Sequence, residues 1–411
     1  MKNGMVVGQP EIKENIIRYT YEITGPWQEA FADMRSFEIQ YSMDVSGVPA
    51  GIAIVPFLAN VLPISWVYDA LVEMEECDED FYNCVEHVKE GYRKMYPMLK
   101  FDGELAVAKS VKNQTKDNKG AIAFFSGGVD SFDTLLRHKD ENLLLVSIWG
   151  ADIFLQHKKG FQKVEEHLMK TALEYGAEYA TVKSGFREFV NYNVLGERIR
   201  KSRDNWWHGF QHGIGIISHS APIAYLRDKK MVYLASSLTV EDKGIVSCAS
   251  DPEIDNEMHF CGCSVWHDGY DYKRQQKIEH ILQYAKENKK DLQLRVCWEN
   301  QNGINCCRCE KCFRTMLEIY AEGYNPEEYG FDCSLSELAN LSSQIQNGEG
   351  IQISEIYSPM YYDIQNRMQQ NYTKDEIKDS LQWIYDGDIS NIWKISFKEK
   401  LKEKFIKICG K

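Results

Sequence analysis

The sequence predicts an α/β protein: an open parallel sheet in the middle of the chain, an α+β module before it and a helical extension after it. Three observations carry this. From residue 120, short apolar runs alternate with helical stretches, the pattern that builds parallel sheets. The first of these runs, 121–125, passes directly into Ser126, Gly127, Gly128, Val129, Asp130 and Ser131, a glycine turn at a strand end. Beyond residue 323 the chain becomes polar with helical periodicity.

Taken in order, residues 16–23 and 37–45 alternate as strands do, and Gly47, Pro49 and Gly51 mark a turn. The run 52–66 is apolar but interrupted by Pro56 and Pro63. An acidic segment, 73–80, leads into a helix over 81–95 that Pro97 ends, and 104–111 forms a closing strand. The polar stretch 112–119 is a linker. Strands then fall at 121–125, 142–149, 179–183 and 231–235, with a further short one at 293–297. Helices lie at 131–138, 160–175 and 213–226, and Gly176 caps the second. Two more helices are expected at 334–345 and 374–385. A final amphipathic stretch, 391–407, carries Ile392, Trp393, Ile395, Phe397, Leu401, Phe405 and Ile406, and 394–411 holds seven lysines and two glutamates. That tail docks on its own protein, on a partner or on an anionic membrane. The expected domains are 1–112, 120–323 and 324–411.

Composition narrows the function classes. A chain of 411 residues, 44% hydrophobic and 27% charged, suits a globular protein of two or three domains. The net charge is −13 and none of the regions 1–112, 113–325 and 326–411 has a basic excess, which argues against nucleic acid as the main partner. No apolar stretch approaches the ~20 residues of a membrane span. The first residues lack the apolar core of a signal peptide, so a cytoplasmic location is expected. In a reducing compartment the 12 cysteines are metal ligands, catalytic thiols or core residues rather than disulfides.

Two constellations carry chemistry. Gly127 and Gly128 let the backbone turn sharply and approach a ligand, and the helix that follows presents N–H groups to an anion. Ser126 and Ser131 add hydroxyls. Asp130 would repel a phosphate, which assigns it to a bridging metal ion. No lysine follows the glycines, so this is not the common nucleotide P-loop. The second constellation is Cys297-x8-Cys306-x2-Cys309-x2-Cys312, with Cys307 as a spare. Four thiolates in one short loop make a soft, closed tetrahedral site, which suits structural zinc. The same ligands could hold an iron–sulfur cluster.

Together the two motifs resemble one family. The run 126–131 is similar to the pyrophosphate loop of the N-type ATP pyrophosphatases (the PP-loop superfamily). The cysteine spacing resembles the zinc motif of one branch, the 7-cyano-7-deazaguanine synthase-like (QueC-like) enzymes. The resemblance covers about residues 120–320. It implies the adenine nucleotide alpha hydrolase type of open sheet, with about five parallel strands. It also implies use of ATP and Mg2+ to adenylate a carbonyl or carboxylate, with release of pyrophosphate, and then transfer of nitrogen with loss of AMP. By the same resemblance Ser126, Gly127, Gly128, Val129, Asp130 and Ser131 hold the pyrophosphate part of ATP, with Asp130 and Ser131 catalytic. Ile148 and Trp149 meet the adenine, Cys297, Cys306, Cys309 and Cys312 hold Zn2+, and a homodimer is expected.

The chain departs from that branch in two places. Cys307 stands where its members usually have glycine. Their tyrosine-proline-aspartate-cysteine segment is missing, the nearest equivalent being Asp251, Pro252, Glu253, Ile254 and Asp255. The acceptor of the adenylate, a small molecule or a protein, stays open. An iron–sulfur tRNA thiolase of the same superfamily and a non-catalytic nucleotide-binding module of a modification or antiphage cassette are the alternatives.

Further residues have both a functional and a structural reading. Arg198, Arg200, Lys201 and Arg203 suit phosphate or a solvated loop. His208, Gln211 and His212 open a helix at the ligand edge or cap it. Ser236, Ser237, Thr239 and Asp242 follow a strand end, where ligand contact and a polar turn are both common. Asp251 and Asp255 suit an amine or magnesium, or form an exposed acidic turn. Cys261 and Cys263, with His259 and His267 nearby, suit a second metal or a catalytic thiol, or fit a half-buried strand. Arg274 and Lys277 point at the site or lie on a charged helix face.

Overall fold

The computed structural model describes residues 3–32, 37–115 and 119–396. Part of the expected linker, and Phe397, Leu401, Phe405 and Ile406 of the lysine-rich tail, lie outside the described residues.

Runs such as Ala121–Phe124 and the first half of Leu143–Trp149 are buried on both faces, so they show no polar alternation. They form the centre of a nine-stranded sheet. Its order is His259–Phe260, Cys263–Asp268, Met231–Ala235, Ala121–Phe124, Leu143–Trp149, Glu178–Ser184, Glu38–Tyr41, Ile16–Arg18 and Glu11–Lys13. The five strands from Cys263–Asp268 to Glu178–Ser184 pair in parallel. Counted along the chain from Ala121, their order is 3-2-1-4-5. The order reverses between Ala121–Phe124 and Met231–Ala235, so a topological switch point lies beside the strand that feeds the glycine loop. The other four strands of the sheet run antiparallel at its edges.

The first 112 residues contribute to two sheets. Ile16–Arg18 joins the large one, while Tyr21–Thr24 joins a four-stranded sheet with Gly4–Val7, Leu71–Asp78 and Glu104–Val111. The single strand expected at 16–23 is therefore two strands with different partners. The proline-bearing run is a helix, Val55–Tyr68, with all of its residues buried. Pro56 sits in the first turn, where its missing N–H costs nothing. The acidic segment is largely strand: Val72 and Met74 face inward while Leu71, Glu73 and Glu75 face out.

The chain forms two compact units. One combines Met1–Phe125 with Thr134–Asp271 and contains both sheets. The other combines Ser126–Asp133 with Tyr272–Lys411. In the second, the helices Arg274–Asn288, Glu310–Ala321 and Ser358–Asn371 pack on one another. The helix Leu335–Gln346 opens with a capping box between Ser334 and Glu337. The helix expected at 374–385 is instead two short 3-10 turns, Lys374–Glu376 and Asp379–Leu381, followed by Gln382–Asp386. No strand forms at 293–297. There the Asn305 side chain replaces a neighbouring strand: Oδ1 accepts from the N–H groups of Val296 (2.9 Å) and Cys297 (3.2 Å). Its Nδ2 donates to the carbonyls of Leu294 and Gly330, both at 2.8 Å.

Candidate functional site

The loop is built from its own hydroxyls. Gly127 has φ of 77°, a left-handed conformation open to glycine. The Gly128 N–H points to Ser126 Oγ at 3.4 Å, and Ser131 Oγ donates to the Gly128 carbonyl at 3.0 Å. The helix Val129–Arg137 starts here, and its first N–H groups have no partner within the helix. A Cβ on Gly128 would meet Ser126 Oγ at 3.4 Å and the Arg295 carbonyl at 3.6 Å, ordinary contact distances.

Asp130 is nine-tenths buried and paired with two cations. Arg274 Nη1 donates to it at 2.8 Å, and Lys277 Nζ lies at 3.5 Å. Burial opposes its ionisation, but Arg274 and Lys277 outweigh burial and hold its carboxyl at about 2. Arg274 is itself fixed by Glu318 and by Thr315 Oγ1, both at 3.1 Å. Lys311 and Arg314 add positive potential at Asp130. The carboxylate that sequence reasoning assigns to a metal ion lies here against a buried cation set. Of that set, sequence reasoning named Arg274 and Lys277 only as alternatives to a charged face, and it missed Lys311, Arg314 and Glu318. The signal for them was weak: charged residues every three or four positions of Glu310–Ala321 look like a solvated stripe, yet Arg314 and Glu318 are buried.

The four expected cysteines come together. The sulfurs of Cys297, Cys306, Cys309 and Cys312 all lie within 4.8 Å of one another, with Cys297–Cys309 and Cys306–Cys312 each at 3.9 Å. Sulfurs 2.3 Å from one tetrahedral zinc are ~3.8 Å apart by simple geometry. The spacing therefore fits a single ion, whereas an iron–sulfur cubane holds its thiolates farther apart. Backbone N–H groups of Asn300 and Arg308 point to the sulfurs of Cys297 (3.3 Å) and Cys306 (3.4 Å), as thiolates require. Cys307 stands apart from this set. It is buried, its thiol is pushed up to about 12 by burial, and its φ is 56°. A left-handed residue at this turn explains why glycine suits the position. The two constellations are joined by one backbone bond, from the Arg295 N–H to the Gly127 carbonyl at 2.8 Å.

The remaining candidates lie in the other unit, most of them in structural roles. Trp149 closes the strand Leu143–Trp149, stacks on Phe161 at 5.0 Å and donates to the Phe154 carbonyl; Ile148 is half-buried beside it. Gln211 is buried and satisfied by Asn60, the Phe186 carbonyl and Tyr192. Asp255 is fully buried, accepting from Ser250 Oγ and meeting His267 Nδ1, each at 2.8 Å, so it is no exposed acidic turn. Asp251 caps the short helix Pro252–Asp255. Arg203 is exposed, at the end of a 3-10 turn, and Ser237 is exposed beyond Met231–Ala235. Arg198 bonds the Val67 carbonyl and covers the ring of Tyr68 at 4.6 Å, a packing role. Cys261 and Cys263 are buried, with thiols raised by burial. No described helix is long and apolar enough to cross a membrane.

Comparison with protein-family models, with curated proteins and with solved structures returned no match to this chain.

Proposed function

We propose that this protein is an AMP-forming ligase of the ATP pyrophosphatase kind, in which the loop 126–131 cradles the pyrophosphate of ATP. The observation that carries the reading is the loop's electrostatics. A glycine turn opening a helix is joined by buried Arg274 and Lys277, held in place by Asp130 and Glu318. The strand order 3-2-1-4-5 supports it, because the loop follows the strand at the switch point, where open parallel sheets bind ligands.

In the proposed reaction a carbonyl or carboxylate oxygen attacks the α-phosphorus of ATP. The new P–O bond forms as the bond to pyrophosphate breaks. Nitrogen then displaces AMP from the acyl carbon. Arg274 and Lys277 act where negative charge develops on the leaving pyrophosphate, and Ser126 and Ser131 orient it. Magnesium, arriving with the nucleotide, neutralises its phosphates. The four cysteines hold a structural zinc that fixes the 294–297 segment and, through Arg295, the Gly127 carbonyl.

The test is release of pyrophosphate and AMP from ATP with ammonium and extracts of candidate carboxylates. Gly128→Ala is the control: its methyl group has room in the fold but enters the phosphate cradle. The expected result is at least a tenfold loss of pyrophosphate release with unchanged thermal stability. Equal product from both proteins would refute the loop's role.

A further inference from the structure

The four-stranded sheet ends on Glu104–Val111. This strand pairs in parallel with Leu71–Asp78 and, among the described residues, with no other strand. The Glu104 N–H donates to the Ala70 carbonyl at 3.0 Å, so residue 104 turns its backbone groups inward. Strand alternation then turns those of Leu105, Val107 and Lys109 outward. Such a row of open donors and acceptors is a template for another chain. The strand holds no proline, and Ala106, Ala108 and Ser110 on its exposed face are small, which leaves the edge open to approach.

A groove of about 700 Å³ lies at the start of this strand. One wall is the helix Glu79–Met95, which presents Tyr82, Glu86, Lys89 and Arg93 at three- and four-residue spacing. The other wall is Asp102, Glu104 and Leu105. Val85 and Leu105 supply apolar surface, beside the partly exposed ring of Tyr82. The two cations of the groove are spent on fixing its walls. Lys89 is buried, and its Nζ donates to the Gly103 carbonyl at 2.7 Å and to Glu86 at 3.1 Å. Arg93 donates to the Phe101 carbonyl at 2.9 Å and pairs with Glu86 and Glu90. Asp102 and Glu104 are exposed, and neither carboxylate has a cationic partner among the described residues.

We propose that this edge and groove receive an extended peptide of alternating basic and apolar residues, which adds as a further strand beside Glu104–Val111. Its backbone pairs with the outward groups of Leu105, Val107 and Lys109. Its apolar side chains enter the groove against Val85 and Leu105, and its basic ones meet Asp102 and Glu104. A second copy of this chain fits the charges less well. Two-fold pairing of the strand with itself keeps each face of the sheet, so opposed residues differ by an even number of positions. Glu104 would oppose Ala106, Ala108 or Ser110, never Lys109, and its charge would stay unpaired. Docking here is independent of nucleotide chemistry at the loop.

The test uses the full chain and a fluorescein-labelled peptide of alternating lysine and valine, read by fluorescence anisotropy. The matching glutamate–valine peptide is the control. The expected result is binding of the lysine peptide about tenfold or more tighter than the control. Val107→Pro removes one outward N–H, and proline is tolerated on a sheet edge, so the chain stays folded while affinity falls about tenfold. Asp102→Lys combined with Glu104→Lys keeps the backbone row and reverses the preference between the peptides; it serves if Val107→Pro fails to fold. Binding of neither peptide, or equal binding of both, would overturn the proposal. So would binding that Val107→Pro leaves at full strength, which is nonspecific attraction to an acidic chain. A wild-type dimer that Val107→Pro dissociates would assign the edge to a second copy and overturn it as well.

Discussion

The two compact units are held by different physics. The unit of Met1–Phe125 and Thr134–Asp271 has a continuous apolar core that runs from Met5 to Val265 through Trp27, Phe57 and Ile122. The unit of Ser126–Asp133 and Tyr272–Lys411 gathers charge and sulfur inside it: Asp130, Arg274, Lys277, Arg314, Glu318 and three of the four cysteines are buried, and Cys306 is half-buried. An apolar core loses stability in proportion to the volume removed. A buried charge set or a metal clip fails as a whole when one member goes.

Removing the metal breaks this comparison most sharply. Chelation, or Cys309→Ser, is expected to cost several kcal/mol, on the order of 10 °C in the transition that includes residues 272–396. Metal analysis should find one ion per chain before treatment, and calorimetry should find the sheet-bearing unit's transition unmoved. A joint loss of both transitions would show that the units are not energetically separate.

Asp130→Asn is next. It leaves Arg274 and Lys277 without their counter-charge and should cost about 3 kcal/mol in urea unfolding at pH 7. The pH dependence has a definite sign. Because the folded-state value, about 2, lies below the ordinary 3.8, Asp130's contribution is present above 3.8 and lost as pH falls through about 2. The gap between wild type and variant therefore narrows in acid.

The smallest effect is expected from Cys307→Gly. Relief of the left-handed backbone and loss of a buried thiol act in opposite directions, so stability should change by less than about 1 kcal/mol. Metal content should be unchanged. A lost ion would make Cys307 part of the clip.

What was legible in the sequence follows the same division. Strands such as Met231–Ala235 and Leu143–Trp149 are short apolar runs bounded by polar turns, and simple periodicity finds them. Val55–Tyr68 was hidden because a helix buried on every side has no polar face to set its period. Leu71–Asp78 was hidden because its exposed glutamates mask the inward Val72 and Met74. The apolar alternation at 293–297 was misleading, since the partner that satisfies it is the side chain of Asn305. The glycine loop and the cysteine spacing are local patterns and were visible. The pairing of Asp130 with Arg274 joins distant segments, and nothing local announces it.

The pairing of Asp130 with Arg274 has a consequence for synthesis. Its partners are 144 residues apart in the chain. At a translation rate of about 10 residues per second, the loop waits roughly 14 seconds before Arg274 is made. The Arg295 N–H that meets the Gly127 carbonyl is made later still. Both sheets have all their strands by residue 268, so the scaffold can settle first. The loop acquires its cations and its four-cysteine neighbour only after residues 274–318 are made, so any nucleotide chemistry at the loop waits for that segment.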